Sequence, residues 1–262
     1  VNATAPTDDP EIDSVLAEVL AGARSILGDL FVGMYLDGSL AIGDFSPDSS
    51  DLDFVVVTTA DVSAEAFEAL SAMHDRIATG PSRWARELEG SYISRDALRH
   101  ARRPVHPYID RGSGLEMVQP ESGYWPIHRH VLREHGVALA GPSPRALIDP
   151  VGADELREAA RGILHEWWEP MLTDGPLLSN GFYRCYAVLT MSRILYTLRH
   201  GAIATKPVAA RWASEALDRR WTPMIRAALV WSRDEPPDLE ETLAYIRYTC
   251  DYSDRPGARG LQ

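Results

Sequence analysis

Residues 51–59 run DLDFVVVTT, with two carboxylates two apart leading straight into an apolar, β-branched run. Such a run reads as a strand. Because strand side chains alternate, Asp51 and Asp53 face one side with alpha carbons roughly 6 to 7 Å apart, while Leu52 faces the other. Two like charges held that way repel unless a cation sits between them. A hard, oxygen-liking divalent ion such as Mg2+ suits carboxylates and binds substrate phosphate as well.

The surrounding sequence supplies the rest of a domain. EIDSVLAEVLAGARSILG, residues 11–28, has apolar positions at helical spacing, with Gly28 as its stop. LFVGMYLDGS reads as a short strand ending at Gly38-Ser39, joined to LDFVVVTT by polar turn material as a hairpin-like unit. SAEAFEALSAMHDRIAT predicts a helix and RELEGSYIS a strand. Residues 95–125 lack clear periodicity, YWPIHRHVLREHGVALAG is helical up to a break at Gly136, and SPRALIDPV reads as connecting chain. After Val151 the pattern becomes four or five helices with no convincing strand. The expected fold is therefore α+β: residues 1–150 form a mixed β-sheet domain flanked by helices, followed by an all-helical bundle over 151–262.

Charge narrows the partners. Lys+Arg 26 against Asp+Glu 38 gives 26 − 38 = −12 over 262 residues. That balance argues against nonspecific nucleic-acid or anionic-membrane binding and favours a cationic small substrate. Cys185 and Cys250, 65 residues apart and in no CxxC pattern, read as thiols of a reducing compartment. No basic-then-apolar leader or apolar run of roughly 18 residues is present, so a cytoplasmic protein is expected; a monomer is expected as well.

Several residues extend the carboxylate pair into a candidate site. Eleven residues separate Gly38-Ser39 from Asp51; glycine lets backbone approach a bulky anion, and the Ser39 hydroxyl suits phosphate oxygens. Glu87 and Glu89 fall on one face of the predicted strand RELEGSYIS. Glu89, deeper in the strand, is the preferred third carboxylate, able to bind metal or take a proton from an attacking hydroxyl, with Glu87 the alternative. Arg193 sits in the apolar stretch YAVLTMSRILY and needs a partner if buried: a structural ion pair or a phosphate. Thr205-Lys206-Pro207 has the pattern of a helix start, where a cation gains nothing from the dipole but can serve an anion. Most aromatic residues of this half are expected to be packing, and His100, His106, His128, His130 and His135 to be core or surface residues. Asp110, Glu116 and Glu121 fall in the irregular segment as candidates to line an acceptor pocket.

GS, eleven residues, then DLDFVVV resembles the signature of the nucleotidyltransferase superfamily, whose members use acidic residues and magnesium to move a nucleoside monophosphate. REHGVALAGPSPRALIDPV and AVLTMSRILYTLRHGAIATKPVAARWA resemble, more narrowly, the aminoglycoside adenylyltransferases that modify streptomycin and spectinomycin. The likeness runs from the first helix to about residue 230. It implies ATP and Mg2+ as cofactors and transfer of AMP to a hydroxyl of a cationic drug, with nucleotide and antibiotic meeting between the two domains. It implies that Asp51, Asp53 and Glu89 hold metal, that Arg193 and Lys206 bind the phosphates, and that Trp231 stacks on adenine. In the family's streptomycin-modifying members a tryptophan and two acidic residues precede the conserved helix. Here Trp168 or Trp167 fills the first role, Asp174 is a displaced acid, and Tyr183 stands where a carboxylate is expected. Spectinomycin and streptomycin both stay open as acceptors. A nucleotidyltransferase acting on another small molecule or on a protein, and a noncatalytic nucleotide-binding protein, are the alternatives.

Overall fold

The computed structural model describes residues 7–47, 50–100, 102–111, 113–120, 123–230 and 236–255. The chain divides into two units, Val1–Glu121 with His128–Pro150, and Ser122–Ile127 with Val151–Gln262.

The first unit opens with α1 (Pro10–Leu27), capped by the Asp9 side chain, which accepts from the backbone N–H groups of Glu11 and Ile12. Its buried stripe is Ile12, Val15, Leu16, Val19, Ala23 and Leu27, and it stops at Gly28 with φ 50°. Six strands follow: β1 (Phe31–Leu36), β2 (Leu52–Thr58), β3 (Leu88–Ser94), β4 (His106–Asp110), β5 (Leu115–Val118) and β6 (Val137–Ala140). Their order in the sheet is β5-β4-β3-β2-β1-β6. β2 and β3 run parallel and the other neighbours antiparallel. A parallel pair needs a crossover, and the segment containing α3 (Ala64–Ala78), capped by Ser63, supplies it. Leu70, Met73 and Ile77 of that helix join the α1 stripe and Met34, Leu36, Leu52, Phe54 and Val56 of the sheet in one core. Short helices α2 (Gly38–Ile42), α4 (Arg95–Arg99) and α6 (Pro144–Leu147), with α5 (Tyr124–His135), complete these segments.

Three expectations need correction. The strand before Gly38-Ser39 ends at Leu36, and the pair opens α2. The stretch expected to be irregular contains α4, β4 and β5, which are short and interrupted: β4 carries Pro107, and β5 is only four residues long. VALA after Gly136 is β6, whose outward residues are not polar, so it shows no alternation.

The second unit takes the first turn of α5 and, after residue 150, α7 (Ala153–Ile163), α8 (Gly181–His200), α9 (Lys206–Ala216), α10 (Thr222–Leu229) and α11 (Leu239–Ser253), and its described residues include no strand. α8 is the hub. It buries residues all around its circumference, including Cys185, Val188, Leu189, Met191, Ile194, Leu195 and Leu198, as a helix packed on every side must. The segment HEWWEPML, after α7, forms a π turn at Leu164–Trp168 and a 3-10 turn at Glu169–Leu172. Pro170 has no N–H to donate to Glu166, so the α ladder does not continue through the second turn.

Candidate active site

β2 and β3 place Asp53 and Glu89 as register partners on parallel strands, where neighbouring backbones lie about 4.8 Å apart. Asp51 immediately precedes β2, and Glu89 faces Asp110 across β4. Burial, then Glu89, Asp37 and Asp51, push the Asp53 carboxyl up to about 8, with His128 opposing. Such a group carries its charge comfortably only beside a cation, and the donors on offer are all carboxylate oxygens, the set a hard divalent ion takes. Glu87 caps the 3-10 turn before β3 and is not on the strand, contrary to expectation; its backbone carbonyl accepts from Leu52 N–H at 2.8 Å.

At the end of β1 the Asp37 N–H donates to the Asp53 carbonyl at 3.1 Å. Gly38 follows with φ +55°, and a Cβ there would collide with the Asp53 carboxylate and lie 2.8 Å from the Asp53 Cβ. Its glycine thus makes room first for a carboxylate, rather than for a bound anion alone. The Ser39 hydroxyl oxygen and Asp37 Oδ1 are buried with no hydrogen-bond partner among the described residues. Unsatisfied buried polar atoms are costly, and these two residues flank the glycine that touches Asp53.

Four further residues belong to this cluster. The Tyr108 hydroxyl donates to Glu89 Oε1 at 2.5 Å; burial, then Glu89, raises its own proton affinity strongly. Arg111, a non-glycine residue with φ 34°, lies 3.2 Å from Asp51 Oδ1 and 3.8 Å from Asp110 Oδ1. Asp37 is 4% exposed, and its Oδ2 lies 3.4 Å from His128 Nδ1. Desolvation works against a charged His128 ring, but the Asp37 contact and the nearby Glu89 and Asp53 outweigh it and raise its pKa. His128, expected to be an ordinary surface or core histidine, is thus part of the cluster. It is positioned by the buried Arg129, whose guanidinium donates to the carbonyls of Leu98 and Arg99 at the end of α4. The strand period of β4 is the one sequence signal that could have shown Tyr108 and Asp110 together; nothing local links residue 128 to residue 37.

Asp110 and Glu116 are exposed, the latter opposite Tyr108 on β5, and Glu121 lies outside the described residues.

In the second unit Arg193 is half-buried on α8 and makes no hydrogen bond or ion pair among the described residues. Thr205 caps α9, its Oγ1 accepting from Val208 N–H at 3.4 Å, with half-buried Lys206 the first helical residue. Trp168 is fully buried in the helical core, 5.9 Å from the Tyr183 ring and 5.7 Å from the Tyr186 ring. The expectation that it contacts substrate is corrected accordingly: it backs Tyr183, which is half-buried. Asp174 is exposed in the turn between the two 3-10 segments. Trp231 lies outside the described residues.

The sheet order, the parallel β2–β3 pair and the carboxylates at its mouth define a nucleotidyltransferase, and residues 20–98 match the family model described as nucleotidyltransferase domain. Residues 146–252 match that of the aminoglycoside adenylyltransferase C-terminal domain. An aminoglycoside (3'') (9) adenylyltransferase of Escherichia coli is 30% identical over 255 residues, covering 90% of this chain and 94% of that relative. A spectinomycin 9-adenylyltransferase of Campylobacter jejuni is 26% identical over 230 residues, covering 83% of this chain and 84% of the relative. The chain belongs to the aminoglycoside adenylyltransferase family. Its fold is shared with the crystal structure of the spectinomycin adenyltransferase AAD(9) from Enterococcus faecialis, determined with ATP and spectinomycin: TM-score 0.72 at 17% identity, over 92% of this chain and 99% of that one. No helix among the described residues is long and apolar enough to cross a membrane.

Proposed function

We propose that the protein transfers AMP from ATP to a hydroxyl of a cationic aminocyclitol or aminoglycoside, with spectinomycin and streptomycin the first acceptors to test. The register match of Asp53 with Glu89, beside a glycine whose missing Cβ admits the Asp53 carboxylate, is the observation that carries this reading. Asp51, Asp53 and Glu89 would hold Mg2+, which when bound neutralises charge on the triphosphate. Glu89 takes the proton of the acceptor hydroxyl as the bond from that oxygen to the α-phosphorus forms and the bond from phosphorus to the pyrophosphate oxygen breaks. Tyr108 occupies Glu89 Oε1 and leaves Oε2 with no hydrogen-bond partner among the described residues, a division that orients a base. The Ser39 hydroxyl, buried without a partner among the described residues, donates to a phosphate oxygen. Arg193 and Lys206 neutralise the phosphates. Tyr183 and Asp174 meet the acceptor, a drug whose positive charge suits the formal net charge of −12.

Replacing Glu89 with Gln tests the base. Turnover should fall by about 10²–10⁴, while calorimetry shows ATP still binding. Near-normal turnover in that variant, with loss in Glu87→Gln, would move the role to Glu87.

A further inference from the structure

The second unit contains a group of side chains that adenylyl transfer does not use. His165, Glu169 and Cys250 each place one potential ligand atom so that all lie within 4.8 Å of one another. His165 belongs to the π turn Leu164–Trp168, Glu169 opens the 3-10 turn that follows, and Cys250 lies near the end of α11. π turns are rare in helices and concentrate at functional sites.

The two ring nitrogens of His165 have different surroundings. Nδ1 lies 2.8 Å from Glu169 Oε2. Nε2 lies 3.0 Å from the Ser253 hydroxyl oxygen and 3.8 Å from Asp254 Oδ1. A metal-binding histidine needs that division, with one nitrogen among the ligand atoms and the other N–H held by an outer oxygen that fixes the ring. Access differs in a useful way too. Cys250 is 6% exposed, whereas the side chains of His165 and Glu169 are 33% and 51% exposed, so the thiol forms a floor and the other two an open mouth.

We propose that His165 Nδ1, Glu169 and Cys250 bind a borderline-soft divalent cation, best matched by Zn2+, with water in the fourth position. One nitrogen, one oxygen and one sulfur ligand select zinc over magnesium, which demands oxygen alone. Bonds of about 2.0–2.3 Å in a tetrahedron set ligand atoms about 3.5 Å apart, so atoms that now lie within 4.8 Å of one another close by up to about an ångström, while His165 Nδ1 and Glu169 Oε2 open from 2.8 Å. Binding expels the thiol proton and ties the end of α11 to the turn that follows α7.

Cobalt titration of the full chain in excess Mg2+ tests this, because a thiolate ligand gives a near-ultraviolet charge-transfer band that carboxylates do not. The proposal requires one equivalent of Co2+ to develop the band, Zn2+ to displace it, Cys185→Ser to keep it and Cys250→Ser to lose it. Ser253→Ala should weaken binding about tenfold through the outer hydrogen bond. No band at saturating Co2+, or a band that survives in Cys250→Ser, overturns the site. Alkylation followed by peptide mass analysis needs no variant: Zn2+ should slow labelling at Cys250 and leave Cys185 unchanged. Equal labelling of Cys250 with and without Zn2+ also overturns it.

Discussion

Gly38→Ala separates the carboxylate geometry from simple stability. The new Cβ would lie 2.8 Å from the Asp53 Cβ, while ordinary contact begins at 3.4 Å. Asp53 must therefore retreat by 3.4 − 2.8 = 0.6 Å at a carbon fixed to β2, and its carboxylate, closer still, by more. A displacement approaching 1 Å at the reacting centre costs about 10²-fold in rate. Alanine at φ +55° also costs about 1–2 kcal/mol in the left-handed region, and each kcal/mol lowers the melting temperature by about 2–4 °C in a chain of this size. Pyrophosphate release and thermal unfolding, measured on the same preparation, read the two effects. Turnover within about threefold of wild type in a normally folded variant would refute the reasoning, since no room would then be needed at Asp53.

Asp53→Asn should abolish transfer yet stabilise the metal-free protein. The folded-state pKa of Asp53 is raised to about 8 from 3.8, so its contribution to stability is full below the unfolded value and is lost as pH rises through about 8. The stability advantage of the variant should therefore grow from pH 5 to pH 8 by on the order of 4 kcal/mol, at about 1.4 kcal/mol per pH unit, and is read as a widening melting-temperature difference; an advantage that shrinks with pH contradicts the assignment. Tyr108→Phe removes a charge-assisted hydrogen bond worth about 1.5–3 kcal/mol. It should lower kcat by about 10- to 100-fold with little change in KM for ATP, and an effect confined to KM would mean that Tyr108 does not orient Glu89.

The strongly periodic parts of the fold were legible in the sequence. α1, α3 and β2 announce themselves through unbroken apolar spacing and clear caps at Asp9 and Ser63. β4, β5 and β6 did not, because a proline, short length and an apolar exposed face each erase alternation. Asp51, Asp53 and Glu89 lie close in sequence to strands that could be read, and β2 and β3 bring the last two into register. The partners of those carboxylates were hidden for a different reason. Asp37 and His128 are 91 residues apart, and only the placement of α5 by Arg129 brings them together. Trp168 shows the opposite failure: resemblance offered it as a substrate contact, and packing against Tyr183 and Tyr186 buried it.

The proposed reaction moves AMP onto a small cationic drug. The most direct test is the mass of each component after incubation with ATP, Mg2+ and a mixture of spectinomycin, streptomycin and related compounds. A gain of one AMP on one antibiotic, absent with Asp53→Asn, is the predicted result. Unmodified antibiotics with label appearing on protein would contradict it.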